Sequence, residues 1–339
     1  MRRLSVLFSL LTALVVTGCS SQSEEVNVYS ARKEALIKPL LDRFTSETGI
    51  AVNLITGKAD ALVERMKAEG EHSPADVLIT TDAGRLYRAQ QEQQLAAVDS
   101  DVLSEQVPAA LRDPDGYWYG LSVRARVVVY APDRVDPSAL STYEALADEQ
   151  WRDRICIRSS DNIYNQSLTA SLIAHNGETE TEQWARDLVA NMARDPVGGD
   201  RDQIKALAAG ECDLAVVNTY YLGMMQAADD AGTREIADQV QVFWPNQDGR
   251  GAHVNISGAG VAANAPHPEN AVRLIEFLVS DESQQWYAET NHEYPVRADV
   301  PVSDLLQEWG EFKQDELPLV KLGELNGDAV KVMDRAGWK

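Results

Sequence analysis

The chain is poor in soft metal ligands and in groups that titrate near neutral pH: three cysteines and five histidines in 339 residues. The histidines (His72, His175, His253, His267 and His292) are scattered and mostly flank turns. Their spacing marks no zinc site and no general-base pair. Walker, GxSxG and HExxH motifs are missing, and with them the usual marks of phosphate cradles, serine hydrolases and zinc proteases. Gly258-Ala259-Gly260-Val261-Ala262-Ala263 fits GxGxxA in letters only, because Asn264-Ala265-Pro266-His267-Pro268 follows where a dinucleotide-binding helix has to open. Positive charge is short as well: 31 Lys and Arg stand against 53 Asp and Glu, a net charge of −22. That balance argues against nucleic acid and anionic membranes as partners. Beyond the first residues no apolar run approaches the roughly 18 residues that suggest a membrane span.

What is present begins with an address. Met1-Arg2-Arg3 is basic, Leu4 to Val16 is mostly apolar, and Val16-Thr17-Gly18 leads into Cys19 and a polar tether. This is the pattern of a signal peptide, too short to span a bilayer, and it looks like a bacterial lipoprotein signal. Residues 1–18 are expected to be removed, with Cys19 lipidated and residues 19–25 as tether. An ordinary signal peptide with a chance cysteine is the competing reading. A lipidated Cys19 anchors the chain to a membrane on the periplasmic side.

The rest has the composition of a globular protein, 44% hydrophobic and 25% charged. Val26 to Ser30 and Ile50 to Ile55 read as strands, and Ser73 to Asp82 as turn, buried strand and turn, with helices at 33–48, 59–69 and 85–94 between and after them. That β-α-β-α-β order predicts a parallel sheet with right-handed crossovers. A long strand, 120–130, carries Arg124 and Arg126 in its middle, so either one arginine faces a cleft or the strand is a solvated edge. A second series follows: a strand at 155–157, helices after Tyr164 and at 181–193 and 202–209, then the apolar run Leu214 to Val217. A strand at 240–244, a returning segment at 249–262 and a helix at 271–280 complete it. With no Gly/Ser-rich linker, two α/β units joined by long crossing strands predict two lobes hinged around a ligand. Cys156 and Cys212 each lie at or near the start of an apolar strand. If those strands are neighbours a disulfide is within reach; two buried free thiols are the alternative.

Leu214 to Val217 leads straight to Tyr220-Tyr221, past Asn218 and Thr219. In open α/β sheets the carboxyl ends of strands are where ligands bind. A Tyr-Tyr pair ordinarily closes a core, but Tyr164 also follows an apolar run and a polar turn, in Asn162-Ile163-Tyr164-Asn165-Gln166-Ser167. A phenol has a pKa of about 10 and stays protonated in the periplasm. A hard trivalent cation stabilises the phenolate, so three tyrosines suit Fe(III) and leave coordination positions open. Carbonate or another small bidentate anion can fill these, held by the planar forks of Arg32 and Arg124. A binding protein for a small organic or oxyanion ligand walled by the rings competes with this. So does a periplasmic hydrolase or lyase using Tyr and Arg, which lacks a nucleophile–base pair. Spacing alone leaves all three open.

Val28-Tyr29-Ser30-Ala31-Arg32, Ser73-Pro74-Ala75-Asp76-Val77-Leu78, Leu121-Ser122-Val123-Arg124-Ala125-Arg126-Val127, Asn162-Ile163-Tyr164-Asn165-Gln166-Ser167-Leu168, Asn218-Thr219-Tyr220-Tyr221 and Glu293-Tyr294-Pro295-Val296 occur in that order. Together they resemble the periplasmic ferric-iron-binding proteins of ABC importers, a branch of the extracellular solute-binding proteins. The resemblance covers nearly all of the chain after its leader. It implies an α/β, two-lobed, transferrin-like fold, each lobe a mixed, mostly parallel sheet flanked by helices and joined by crossing hinge strands. The lobes are expected at 26–125 plus 255–297 and at 126–254 plus 298–339. It further implies that Tyr164, Tyr220 and Tyr221 bind Fe(III) from the second lobe, that Arg32 and Arg124 hold an accompanying anion, and that nothing is catalysed. The expected partners are the permease and ATPase of an iron importer, with the chain a monomer touching the membrane only through its lipid. Some members of that family carry histidine, or histidine then tyrosine, directly after the Arg32 position, where this chain has Lys33-Glu34. Others carry a glutamate near the end of the third strand, where Thr81 stands. Arg201 is either a partner of the site from behind or an ordinary helix-start arginine.

Overall fold

The computed structural model describes residues 24–339. The expected signal peptide, Cys19 and most of the expected tether lie outside the described residues. Among the described residues ten strands are formed: β1 (Glu25–Ser30), β2 (Ala51–Thr56), β3 (Val77–Thr81), β4 (Leu95–Ala96), β5 (Tyr119–Tyr130), β6 (Ile155–Cys156), β7 (Leu214–Asn218), β8 (Gln241–Phe243), β9 (Val254–Ala262) and β10 (Tyr294–Pro295). Their main path runs β2-β1-β3-β9-β5-β7-β6, with β4 on β9 and with β8 and β10 on β5. β1, β2 and β3 pair in parallel, as the opening βαβαβ pattern predicts. The first helix, Glu34–Thr48, buries Ile37, Leu40, Leu41 and Phe44 and stops at Gly49, which adopts φ 76°. That left-handed stop favours glycine. The Pro268–Leu278 helix buries Leu274, Ile275 and Leu278 completely, each worth about 1.5–3 kcal/mol of transfer energy.

β5 and β9 carry the architecture. All twelve residues of β5 and all nine of β9 are buried, so β5 is central and the solvated-edge reading fails. The strand has partners on both sides, and both arginines are inside: Arg124 and Arg126 are each 1% exposed. β5 changes partner along its length. Residues up to Ala125 pair with β9, whereas Arg126 to Tyr130 pair with β7. The GxGxxA letters fall in β9, where a Cβ on Gly260 would lie 2.5 Å from the Tyr117 carbonyl. Close strand approach, not phosphate binding, accounts for that glycine.

Cys156 in β6 is joined to Cys212, just before β7, by a disulfide with Cα atoms 5.9 Å apart. The two strands are parallel neighbours. Expected helix boundaries shift by a few residues where capping groups act earlier than the apolar pattern. The helix expected after Tyr164 begins at Ile163, because the Asn162 side chain accepts from the Tyr164 amide at 3.1 Å. The tyrosine therefore sits in the first helical turn. Tyr220 and Tyr221 likewise lie in the first turn of Thr219–Gln226, directly after β7. Among the described residues no helix is long and apolar enough to cross a membrane.

Candidate metal centre

β7 and the two helices beyond the strand ends bring the three tyrosines together. The Tyr164 and Tyr220 hydroxyl oxygens are 3.2 Å apart, and the Tyr220 and Tyr221 rings lie 4.2 Å apart at 32°. All three side chains are half-buried and line one cavity of ≈ 150 Å³ with Arg32, Lys33, Thr81, Arg201 and Glu293. A larger cavity of ≈ 390 Å³, beside Arg85 and Asp161, contains none of these tyrosines. Burial, and then the neighbouring Tyr164 and Tyr221, push the Tyr220 phenol well above its ordinary pKa, with Arg124 opposing. Tyr221 is pushed up to about 12 by burial, Tyr164 and Asp200, against the pull of Tyr220 and Arg158. Both phenols are thus protonated at neutral pH until a cation displaces the proton. All three tyrosines sit in the first turns of their helices, where the helix dipole favours negative charge.

The arginines are less free than their sequence positions imply. Arg32 is buried; its Nη2 lies 2.9 Å from Glu293 Oε2 and its Nη1 donates to the Ser257 hydroxyl. Arg124 Nη2 donates to the same hydroxyl at 2.6 Å, and its Nε lies 3.9 Å from Glu293. Its guanidinium carbon sits 5.9 Å from the centre of the Tyr220 ring. Burial works against ionising Glu293, but Arg32 and then Arg124 outweigh it and hold the carboxyl below its usual range. The Ser122 hydroxyl donates at 2.7 Å to Oε2 of Glu293, the oxygen that also faces Arg32 Nη2. A buried carboxylate therefore already occupies the two forks expected to grip an anion. Glu293 is the main residue that sequence reasoning left without a role. Its only signal was its place at the head of Glu293-Tyr294-Pro295-Val296, one of the stretches that carry the family resemblance.

Further back, Arg126 pairs with Asp200 at 3.0 Å, and Arg158 reaches the same carboxylate at 3.1 Å. Both guanidiniums lie near the Tyr164 ring, 6.0 and 5.6 Å from its centre. Asp82, expected to cap a helix, does so by accepting from the Gly84 amide. It also accepts from Ser167 on the Tyr164 helix and from Asn255 of β9. Among the scattered histidines, His253 is buried, lies outside the tyrosine cavity and is held neutral, its pKa lowered to about 3 by burial and the charge of Arg126. Lys33 and Thr81 line the cavity from the first half of the chain, whereas Glu34 is exposed and not among its lining residues. Arg201 lines it too; its Nη2 lies 3.3 Å from Met224 Sδ and its Nε has no partner. Among the described residues no three His, Cys, Asp or Glu side chains are placed to hold a metal ion.

Strand order, crossing strands and a site at the carboxyl ends of strands define a two-lobed binding protein. Residues 72–314 match the model of the bacterial extracellular solute-binding protein family, and the chain belongs to that family. Iron uptake protein A1 of Synechocystis is 50% identical over 324 residues, covering 96% of this chain and 90% of that protein. The structure of a Trichodesmium protein, described as in complex with iron and citrate ligands, superposes with a TM-score of 0.90 at 50% identity. It covers 93% of this chain and all of that one. The ferric binding protein of Campylobacter jejuni superposes at 0.89 with 37% identity, again over 93% of this chain and all of that one. These relatives are iron-binding and iron-transport proteins, not enzymes.

Proposed function

We propose that the chain is the substrate-binding component of an iron(III) ABC import system, taking ferric ion as phenolate complexes of Tyr164, Tyr220 and Tyr221. The observation that carries this is the convergence of three tyrosines in one cavity whose other charged lining side chains are Arg32, Lys33, Arg201 and Glu293. Three phenolates neutralise Fe(III), so the remaining wall charge favours a further anionic ligand such as carbonate or a carboxylate. The relatives' names and the citrate in the Trichodesmium complex support the same reading. Arg32 and Arg124 serve that anion only in competition with Glu293, while among the described residues Lys33 and Arg201 stand in no ion pair.

Lobes at 26–125 plus 255–297 and at 126–254 plus 298–339 fit the change of partner on β5 between Ala125 and Arg126. Cargo would pass to a permease and ATPase, and the chain would act as a periplasmic monomer anchored through lipidated Cys19. The test is spectroscopic. Protein purified without chelators should hold iron and absorb in the visible by phenolate-to-iron charge transfer, and a ferric chelator should bleach it. Colourless protein with no ferric affinity in carbonate or citrate would leave the organic or oxyanion reading standing instead.

A further inference from the structure

The Thr219–Gln226 helix, which carries Tyr220 and Tyr221, has a glycine in its interior, Gly223. Glycine weakens a helix at such a place relative to alanine, so something else must require it. The requirement is a neighbour. A Cβ on Gly223 would lie 2.7 Å from Cβ and 3.1 Å from Cγ of His292, and 3.4 Å from the Trp309 ring. The first of these is closer than real Cβ atoms approach. The atom met is the root of a side chain, which cannot swing aside as a flexible end does.

His292 also runs against local preference. It follows Asn291, where the Asp281–Thr290 helix ends, and has φ 52°, a left-handed position that ordinarily goes to glycine. The residue is buried, and its Nδ1 has no hydrogen-bond partner. A bond from that nitrogen therefore does not explain the side chain, whereas contact with the flat flank of the tyrosine helix does. A glycine stands where a helix prefers alanine, and it meets a side chain where a helix stop prefers glycine. Paired departures of this kind mark a place where another requirement wins.

The stretch around His292 is held firmly. Asn291 Nδ2 donates to the Leu36 carbonyl at 3.2 Å, and the Glu293 amide donates to the Tyr287 carbonyl at 3.0 Å. The Glu293 carboxylate is fixed by Arg32 and Ser122, and Tyr294 pairs with Val123 of β5. On the other side of the contact, Gly223 follows Tyr220 by three residues and shares its flank of the helix. His292 directly precedes Glu293, which lines the tyrosine cavity. One contact thus sets how far the phenols stand from the opposite wall. In the proposed division into lobes, its two sides belong to different lobes.

We propose that His292 is a positioning residue for the iron site: seated on Gly223, it fixes the height of the tyrosine helix over the Arg32–Glu293 wall. The proposal rests on the ferric reading of that cavity and adds to it a residue that does not line the cavity.

The experiment measures ferric affinity of the mature chain by chelator competition, together with the visible band. Gly223→Ala improves helix propensity but forces the two segments apart by roughly 1 Å to reach ordinary contact. Affinity should fall about 10–100-fold, as it does when a residue that orients metal ligands is lost, and the charge-transfer band should shift. His292→Gly removes the opposing Cβ and suits φ 52°, so the double variant should regain most of the loss. Gly223→Ala binding iron like the parent, or a double variant as weak as Gly223→Ala alone, overturns the proposal. If Gly223→Ala does not fold, the double variant is compared with His292→Gly. The added methyl refills the seat, so the double variant should bind more tightly, and equal affinity overturns the proposal. A parent chain without ferric affinity would sink the ferric reading and leave the seat to crystals of the cargo-free proteins. There the Tyr164–Tyr220 oxygen separation of 3.2 Å should lengthen in Gly223→Ala and return in the double variant; an unchanged separation overturns the seat as well.

Discussion

Replacing Tyr164, Tyr220 or Tyr221 by Phe removes one oxygen and keeps the ring, which separates ligation from packing. A filler role predicts unchanged iron binding and a stability change of about 1 kcal/mol from one lost hydrogen bond. Ligation predicts that ferric affinity falls by orders of magnitude in each variant while the circular dichroism spectrum and the melting transition survive; competition with a ferric chelator measures it. The buried ion pair gives a second prediction of the opposite kind. Arg32→Ala leaves Glu293 buried with Arg124 only 3.9 Å from its nearer oxygen, and such a half-broken pair costs about 3–5 kcal/mol. The double variant Arg32→Ala with Glu293→Gln removes the stranded charge and should recover part of that loss in denaturant titrations. A cycle with no coupling would mean the pair contributes nothing. The tyrosines were legible because each follows an apolar run and a polar turn, a purely local pattern. Glu293 was not, since its partners Arg32, Ser122 and Arg124 lie far away in the chain, and only folding makes them neighbours.

Helices and strands show a similar division between what local pattern carries and what it does not. The parallel β1–β3 unit and the Glu34–Thr48 helix follow from apolar periodicity and a glycine stop. The helix expected after Tyr164 begins one residue before it, because Asn162 caps it from Ile163, and the Thr219–Gln226 helix that holds Tyr220 and Tyr221 was not expected from the local pattern. The switch of β5 from β9 to β7 has no local signature at all; what the sequence shows is its consequence, two arginines inside an otherwise apolar strand. The pairing of β6 with β7 places Cys156 and Cys212 within bonding distance. Replacing both by serine should lower stability by about 2–4 kcal/mol, since the bridge closes a loop across 56 positions. Denatured, unreduced parent protein should show no free thiol from this pair; finding two would remove the bridge. Iron affinity should change little, because neither cysteine lines the tyrosine cavity.

The whole molecule is an acidic, two-lobed body, and the expected leader lies outside the described residues. If Cys19 is the lipidated first residue, Cys19→Ala should release the protein from membranes, and mass spectrometry of the parent should find acyl chains at that residue; an unmodified amino terminus elsewhere sinks the assignment. At this scale pH acts on cargo and on fold in separable ways. The raised phenols of Tyr220 and Tyr221 are protonated near neutral pH in both folded and unfolded chains, so they leave stability flat there. Above about pH 10 the unfolded phenols ionise first, the folded ones hold their protons, and stability is lost as pH rises. Iron reverses the balance, because each bound phenolate releases a proton. Ferric affinity, corrected for the competitor's own titration, should therefore drop as pH falls by about tenfold per unit for each proton released. His253 supplies the acid effect on the fold. With its pKa lowered to about 3 against an ordinary value near 6.5, the unfolded chain binds a proton that the folded one refuses. Stability therefore declines as pH falls from about 6.5 toward 3. Colour should consequently be lost at a higher pH than structure, leaving a colourless, folded protein in between. Simultaneous loss of the visible band and of circular dichroism would mean that iron leaves only by unfolding, and that the tyrosine protons do not control release.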